Sequence, residues 1–504
     1  MRWLTARPAL QAGLVALLVG AAVQWWAHRA DLVLAFWDAQ AHLDIARRVW
    51  DSTTPGIQML GTVWLPVPHL LYLPFTLVDS WWWSGLAGGL VGLAAFVATA
   101  MATFAIVRRH TEGTAWAWVA TLAVILNPSL AYLQTTAMTE PILLAFLTGS
   151  VWAIGVWAGD RQDTKNLIAA GILAGLAVGT RYDGWAFTLL ASTLILLMSR
   201  SLRSTLRFAA PSGLFVALWL LYNMVLYDDP LAFQRSAWSA QAQQEALALR
   251  GLLPDRHQII GAFSTYLGAV GLTSGWILLG AGVIATGFLA STRRKGLLEV
   301  LLLGVVLPFN VFTLWGGQSI ISVPWHDPPG VTNLRYGVLL LPAAATAIAL
   351  AGAHIGSHAN RRAWTRFAVG VLFLLQGAWF IAGDAGTNGA LREALVIQSG
   401  EHDIAQMNAS RWLAANYDRG RILVAPAVNV SPRTRIPLRD RIYPWTWEIG
   451  PAALAAPSMH VDWVLVDRRA ATDPVARAIG AIPDFARQFD RVFTERELEI
   501  WRRR

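Results

Sequence analysis

Apolar residues along this chain arrive in long unbroken runs, not in strand-like alternation or one-sided helical stripes. A run of about 20 apolar residues is what an α-helix needs to cross the hydrocarbon of a bilayer. On that criterion spans are expected at residues 9–27, 82–107, 115–126, 140–157, 167–180, 185–199, 208–227, 266–290, 297–315, 336–354 and 367–382. That is about eleven, an odd number, in a polytopic α-helical membrane protein. The runs at 115, 167 and 185 are short, as suits helices inside a bundle or with a polar mouth. After residue 382 the pattern changes. DIAQMNASRWLAANY has helical periodicity, RILVAP and VDWVLVD read as buried strands, TDPVARAIG carries a Thr-Asp-Pro helix start, and FDRVFTERELEIWR reads as a closing strand pair. Residues 1–382 are therefore expected to form the transmembrane domain and 383–504 a small α/β domain.

Charge fixes the orientation. Arg2 and Arg7, Arg108 and Arg109, Arg161 with Lys165, Arg200, Arg203 and Arg207, Arg293 to Lys295, and Arg361, Arg362 and Arg366 fall on alternate loops. A single threading sends all of them to the cytoplasm, as positive charge requires. It puts the N-terminus inside and the tail domain outside the cytoplasmic membrane. The net charge of +9 is accounted for by these loops, so nucleic acid is not an expected partner. With 55% hydrophobic and only 14% charged residues, a soluble protein of 504 residues is excluded. The chain has no cysteine, which excludes disulfides, Cys-ligated zinc and thiol catalysis. The first apolar run lacks a small-x-small cleavage site and reads as a retained span.

The outer loops are longer and chemically richer than the inner ones, so function is expected outside. The first of them, 28–80, contains FWDAQAHLDIARRVWDSTTPGIQMLGTVWLPVPHLLYLP. Ionisable groups at the edge of a span are costly and point to function. Asp38 follows an apolar run, and His42 lies four residues on, so the two share a face if 38–50 is helical. Asp38 reads either as the cap of that helix or as a catalytic carboxylate, and a cap leaves one oxygen for chemistry. Asp44, Arg47 and Arg48 read as a solvated face. His69 reads as an interfacial polar residue or a donor to a lipid headgroup, and Trp37 and Trp64 as rings for stacking on a sugar. Glu140, in TTAMTEPILLAF, suits the first turn of a helix beside Pro141. Arg181 and Asp183 tip a two-span hairpin, where the bland reading is a surface salt bridge. Arg335 and Tyr336 open a span after a turn-rich loop that holds His326 and Asp327. Arg suits phosphate through its planar fork of donors. Arg335 first, then Arg181 with Tyr336, are the candidates for an anionic headgroup.

WDAQAHLDIARRV with TPGIQMLGTVWLPVPHLL, MTEP at the start of a later span, TRYDG at a hairpin tip, DDPLAF opening an outer loop, and NLRYGVLLLP occur in this order. Together they resemble the GT-C superfamily of membrane glycosyltransferases, in particular the branch of the protein O-mannosyltransferases and the aminoarabinose transferase of lipid A. The resemblance implies a many-span domain with a catalytic first outer loop and an outer C-terminal domain. It implies inverting transfer of a sugar from a polyprenyl-phosphate donor to a protein, lipid or glycan acceptor outside. The first-loop Asp serves as base in that superfamily, and the matching position here is Asp38. Many relatives have adjacent acids there, whereas Asp38 is followed by Ala39 and Gln40. No cofactor is therefore expected, though a divalent metal shared by Asp38 and Glu140 stays open. A lipid-linked-sugar transporter or flippase, or an inactive envelope scaffold, are the alternatives. A transporter should carry polar groups at mid-membrane depth, whereas the charges here sit at the outer mouths.

Overall fold

The computed structural model describes residues 7–236, 239–327, 329–357, 359–382, 388–469 and 472–504. Arg2, the side chains of Arg361, Arg362 and Arg366, and the expected start of the tail domain at 383 lie outside the described residues. Among the described residues seven helices are long and apolar enough to cross a membrane: Pro8–Arg29, Leu86–Arg108, Glu140–Gly159, Leu202–Tyr227, Ile259–Ser291, Leu297–Trp315 and Leu334–Ile355. Ala115–Ile125, Thr164–Val178, Asp183–Ser199 and Phe367–Ala378 are shorter apolar helices. This is a mostly helical integral membrane protein with a small C-terminal sheet. The run expected from 82 starts at Leu86 instead. Gly85 takes φ +79, in the left-handed region that favours glycine, and separates the short helix Asp79–Trp83 from the span. Residues 127–139, between two spans, contain the buried helix Pro128–Leu133, capped by the Asn127 side chain on Leu130 N–H.

The chain forms two compact units. The first comprises residues 1–30, 62–68 and 89–393; the second comprises 31–61, 69–88 and 394–504. In the first unit, Thr164–Val178 packs against both Glu140–Gly159 and Leu202–Tyr227. Small residues permit the approach: a Cβ on Gly171 would lie 2.2 Å from the Phe208 carbonyl oxygen. In the most apolar stretch of Leu334–Ile355, 83% of the residues are buried, whereas in that of Leu202–Tyr227 only 17% are. The 33-residue span Ile259–Ser291 is interrupted by a wide turn at Gly271–Gly275, where Gly275 takes φ +97.

The second unit carries a five-stranded sheet. Its strands are β1 (Ile422–Val424), β2 (Arg441–Ile442), β3 (Trp463–Asp467), β4 (Phe489–Glu495) and β5 (Leu498–Arg503), in the order β2-β1-β3-β5-β4. β2, β1 and β3 are parallel; β5 is antiparallel to both β3 and β4. β1 and β3 are buried along their whole length, which is why their sequences are continuous apolar runs and not alternating ones. Helix Glu401–Asn416 packs on β4 and β5 through Ala405, Ala409 and Leu413. Helix Pro474–Ala481 begins at Asp473, whose carboxylate accepts from Val475 and Ala476 N–H at 2.9 Å. The first-loop helix Trp37–Arg48 belongs to this same unit.

Candidate active site

In the first unit, charged residues from five separate segments converge. Glu140 opens helix Glu140–Gly159, and Asp183 opens helix Asp183–Ser199, both where the positive end of a helix favours a carboxylate. Arg181 occupies the short tip before Asp183. Arg335 and Tyr336 lie in the tight turn Leu334–Leu340, and Glu393 on helix Gly389–Ile397. Arg181 donates from Nε to Asp183 Oδ2 at 3.0 Å and from Nη1 to Glu140 Oε1 at 3.0 Å and Thr139 Oγ1 at 3.2 Å. Arg335 Nε lies 3.3 Å from the same Glu140 oxygen, and its Nη1 donates to Glu393 Oε1. Asn310 Nδ2 donates to Asp183 Oδ1 at 3.0 Å. The Tyr336 ring lies 4.3 Å from the Arg181 guanidinium and 5.3 Å from that of Arg335. Tyr266 donates to the Tyr336 carbonyl at 3.3 Å and Ser274 to the Gly337 carbonyl at 3.4 Å, so the wide turn of the neighbouring span fixes this segment.

Burial changes the meaning of these contacts. Glu140 and Glu393 are fully buried, with Asp183 at 2% and Arg335 at 4% exposure. The Arg181–Asp183 pair is thus not the surface salt bridge that the hairpin-tip sequence suggests. Removing one partner from such a pair leaves a buried charge uncompensated. Burial alone pulls the Arg181 guanidinium down, but Asp183 and Glu140 more than reverse this, and it remains a permanent cation. Burial pushes the Glu393 carboxyl up, and the Arg335 charge only partly offsets it. Glu140 Oε2 is buried without a hydrogen-bond partner among the described residues. The Arg181 side chain is 15% exposed and that of Arg335 only 4%, so Arg181 is the more reachable cation.

In the second unit, Asp38 sits half-buried in the first turn of helix Trp37–Arg48. The cap position is Phe36, not Asp38, so the capping role falls away. His42, one turn on, directs Nδ1 at His69 Nε2, 2.9 Å away. His69 is fully buried, which removes it as a headgroup donor. Its imidazole is held well below the ordinary range by burial, then by His42 and Arg48. The expected solvated face is also overturned. Asp44 accepts from Trp82 Nε1 at 2.9 Å and from Arg441 Nη1 at 3.0 Å. Arg47 lies between the Trp50 and Trp82 rings at 4.3 Å from each, and pairs with Asp51 at 2.9 Å and Asp79 at 2.6 Å. Arg439 of the tail reaches Asp51 at 2.9 Å, and Trp37 Nε1 donates to Asp403 at 3.1 Å. The face looked solvated because several of its partners, Arg441, Arg439 and Asp403 among them, lie hundreds of residues away in the chain.

Of the other candidates, Trp64 is part-exposed in the first unit. His326 Nε2 lies 2.9 Å from the Thr265 hydroxyl, which donates to Asp255 at 3.1 Å. That trio ties helix Ile259–Val270 to the loops that hold Asp255 and His326 and does not join the Arg181 cluster. Among the described residues no three His, Asp or Glu side chains gather as metal ligands would. Sequence reasoning missed Asn310, Glu393 and Arg441. Only Asn310 carried a signal, an amide inside an otherwise apolar span.

Residues 90–221 match the family model of dolichyl-phosphate-mannose-protein mannosyltransferases. That stretch contains the MTEP and TRYDG segments, and with them Glu140, Arg181 and Asp183. The structure of ArnT from Cupriavidus metallidurans in its apo state superimposes with a TM-score of 0.56 at 13% identity, covering 98% of each chain. The fold is GT-C. The crystal structure of an oligosaccharyltransferase from Archaeoglobus fulgidus, in complex with zinc and sulfate, gives a TM-score of 0.47 at 12% identity, over 95% of this chain and 71% of that one. No curated protein matches the chain in sequence. Within the GT-C fold, the ordered segments that prompted the resemblance span both compact units. WDAQAHLDIARRV lies in the second, and MTEP, TRYDG and NLRYGVLLLP in the first.

Proposed function

We propose that this protein is an inverting glycosyltransferase, moving a sugar from a polyprenyl-phosphate donor to an acceptor outside the cytoplasm. The observation that carries this reading is the 90–221 match on a GT-C fold, because the matched residues include Glu140, Arg181 and Asp183. In the step proposed, the acceptor hydroxyl oxygen bonds to the anomeric carbon. The bond from that carbon to the phosphate oxygen breaks, and its electron pair leaves with the phosphate. Asp38 takes the hydroxyl proton as general base. Arg181 and Arg335 offset charge on the lipid phosphate, Arg181 from its more open position. The charge pattern of the loops supports a cytoplasmic N-terminus and a tail domain outside. The acceptor is a protein, lipid or glycan hydroxyl, and the sugar a hexose or pentose.

The test is transfer from a polyprenyl-phosphate sugar in membranes bearing Asp38→Asn. Loss of a general base lowers the rate by about 10²–10⁴-fold. Asp484→Asn, at an exposed tail carboxylate paired with neighbouring Arg487, is the control and should leave the rate unchanged. Full transfer by folded Asp38→Asn protein removes Asp38 as the base.

A further inference from the structure

The anion that Arg335 holds in this structure belongs to the protein itself. Glu393 Oε1 accepts from the Arg335 guanidinium and from Asn333 N–H at 2.9 Å, and Oε2 accepts from Arg335 N–H at 3.1 Å. The backbone makes this site. Asn333 takes φ +55, and the tight turn from Leu334 brings the N–H groups of residues 333 and 335 to one carboxylate. Two backbone N–H groups beside a planar guanidinium form an anion-binding concavity, and the same donors suit phosphate oxygens. The carboxylate is delivered by a docked helix. Asn388 Oδ1 accepts from Leu391 N–H at 3.2 Å and from Ser129 Oγ at 2.9 Å. A Cβ on Gly389 would come within 2.9 Å of the Leu272 carbonyl oxygen, so the helix start lies tight against the wide turn of the span.

Charge counting says what the arrangement does. Arg181 and Arg335 face Glu140, Asp183 and Glu393. With all of them ionised the acids outnumber the bases, and a phosphate added to that set meets net negative charge. A phosphate that replaces the Glu393 carboxylate meets balanced charge and inherits ready donors. We propose that Glu393 is a built-in competitor: its carboxylate fills the Arg335 anion site in the resting protein and gives way to the phosphate of a lipid-linked substrate. This rests on reading Arg335 as a phosphate-binding group. A purely structural ion pair makes the opposite prediction, since removing its acid would misplace Arg335 and weaken phosphate binding.

Binding of farnesyl phosphate to the purified full-length protein in detergent tests it, with farnesol reporting on the lipid tail alone. Glu393→Gln keeps size and an acceptor oxygen but removes the charge. It should bind farnesyl phosphate about tenfold tighter than the unmodified protein, with farnesol unchanged. Asn388→Ala leaves every charge in place and loosens the helix that delivers Glu393. It should tighten binding in the same direction by a smaller factor, and it decides the matter if Glu393→Gln does not fold. Arg335→Ala should abolish the gain. Affinity unchanged or weakened in both Glu393→Gln and Asn388→Ala overturns the proposal, as does binding indifferent to Arg335→Ala. Equal tightening toward inorganic phosphate overturns its lipid part. If the gain appears while Asp38→Asn transfers normally, the competitor role stands and the transfer mechanism falls.

Discussion

Gly337 offers a direct test of how closely the Arg335 turn is set against its neighbouring span. A Cβ added there would lie 2.4 Å from both the carbonyl carbon and oxygen of Ala269 and 2.5 Å from Val270 N. All three are backbone atoms, so no flexible side chain can swing away. Ordinary contact begins at 3.4 Å, so Gly337→Ala must push the turn off the span by about 1 Å. The turn cannot simply slide, because the Tyr336 and Gly337 carbonyls are bonded to Tyr266 and Ser274. Overpacking of this kind costs about 1–3 kcal/mol. Since Arg335 is two residues away, a shift of about 1 Å should also lower transfer by roughly 10²-fold. Gly280 supplies the contrast. It lies in helix Trp276–Ser291 with nothing within 4 Å of its added Cβ. Gly280→Ala should gain up to about 1 kcal/mol from helix propensity and transfer normally. The assay pairs the thermal midpoint in detergent with transfer per folded molecule. A Gly337→Ala protein that melts and transfers like the unmodified one would refute both the close packing and the claim that it positions Arg335.

Two further outcomes can be measured. His69 in the folded protein resists the proton that an unfolded chain takes up below about pH 6.5. Its contribution to stability is therefore complete above that value and is lost as pH falls below it. The denaturation midpoint should drop between about pH 7.5 and about pH 5, and His69→Gln should flatten that slope; a midpoint that rises on acidification would contradict the buried neutral imidazole. For topology, cysteine at exposed Asn416 should react with an impermeant thiol reagent in intact cells, and cysteine at exposed Arg293 should not; the reverse pattern would invert the threading.

The sequence by itself determined the long apolar helices. Membrane spans are legible because hydrocarbon demands long apolar runs whatever the neighbours are, and each run expected as a span is largely helical here. The tail was legible for a related reason. The fully buried strands β1 and β3, the Asp473 cap and the closing pair β4–β5 are all local patterns of burial or hydrogen bonding. The ordered segments also carried the GT-C resemblance that the fold bears out. Only the tertiary structure decided how charges are paired. Asp44 and Arg47 looked solvated because Arg441, Trp82 and Asp79, which satisfy them, are not sequence neighbours. Arg335 looked like an open phosphate ligand because nothing in GALREALVI marks Glu393 as its acid. His69 looked interfacial until His42 closed over it. A buried ionic group is defined by the partner that compensates its lost hydration, and that partner comes from anywhere in the chain.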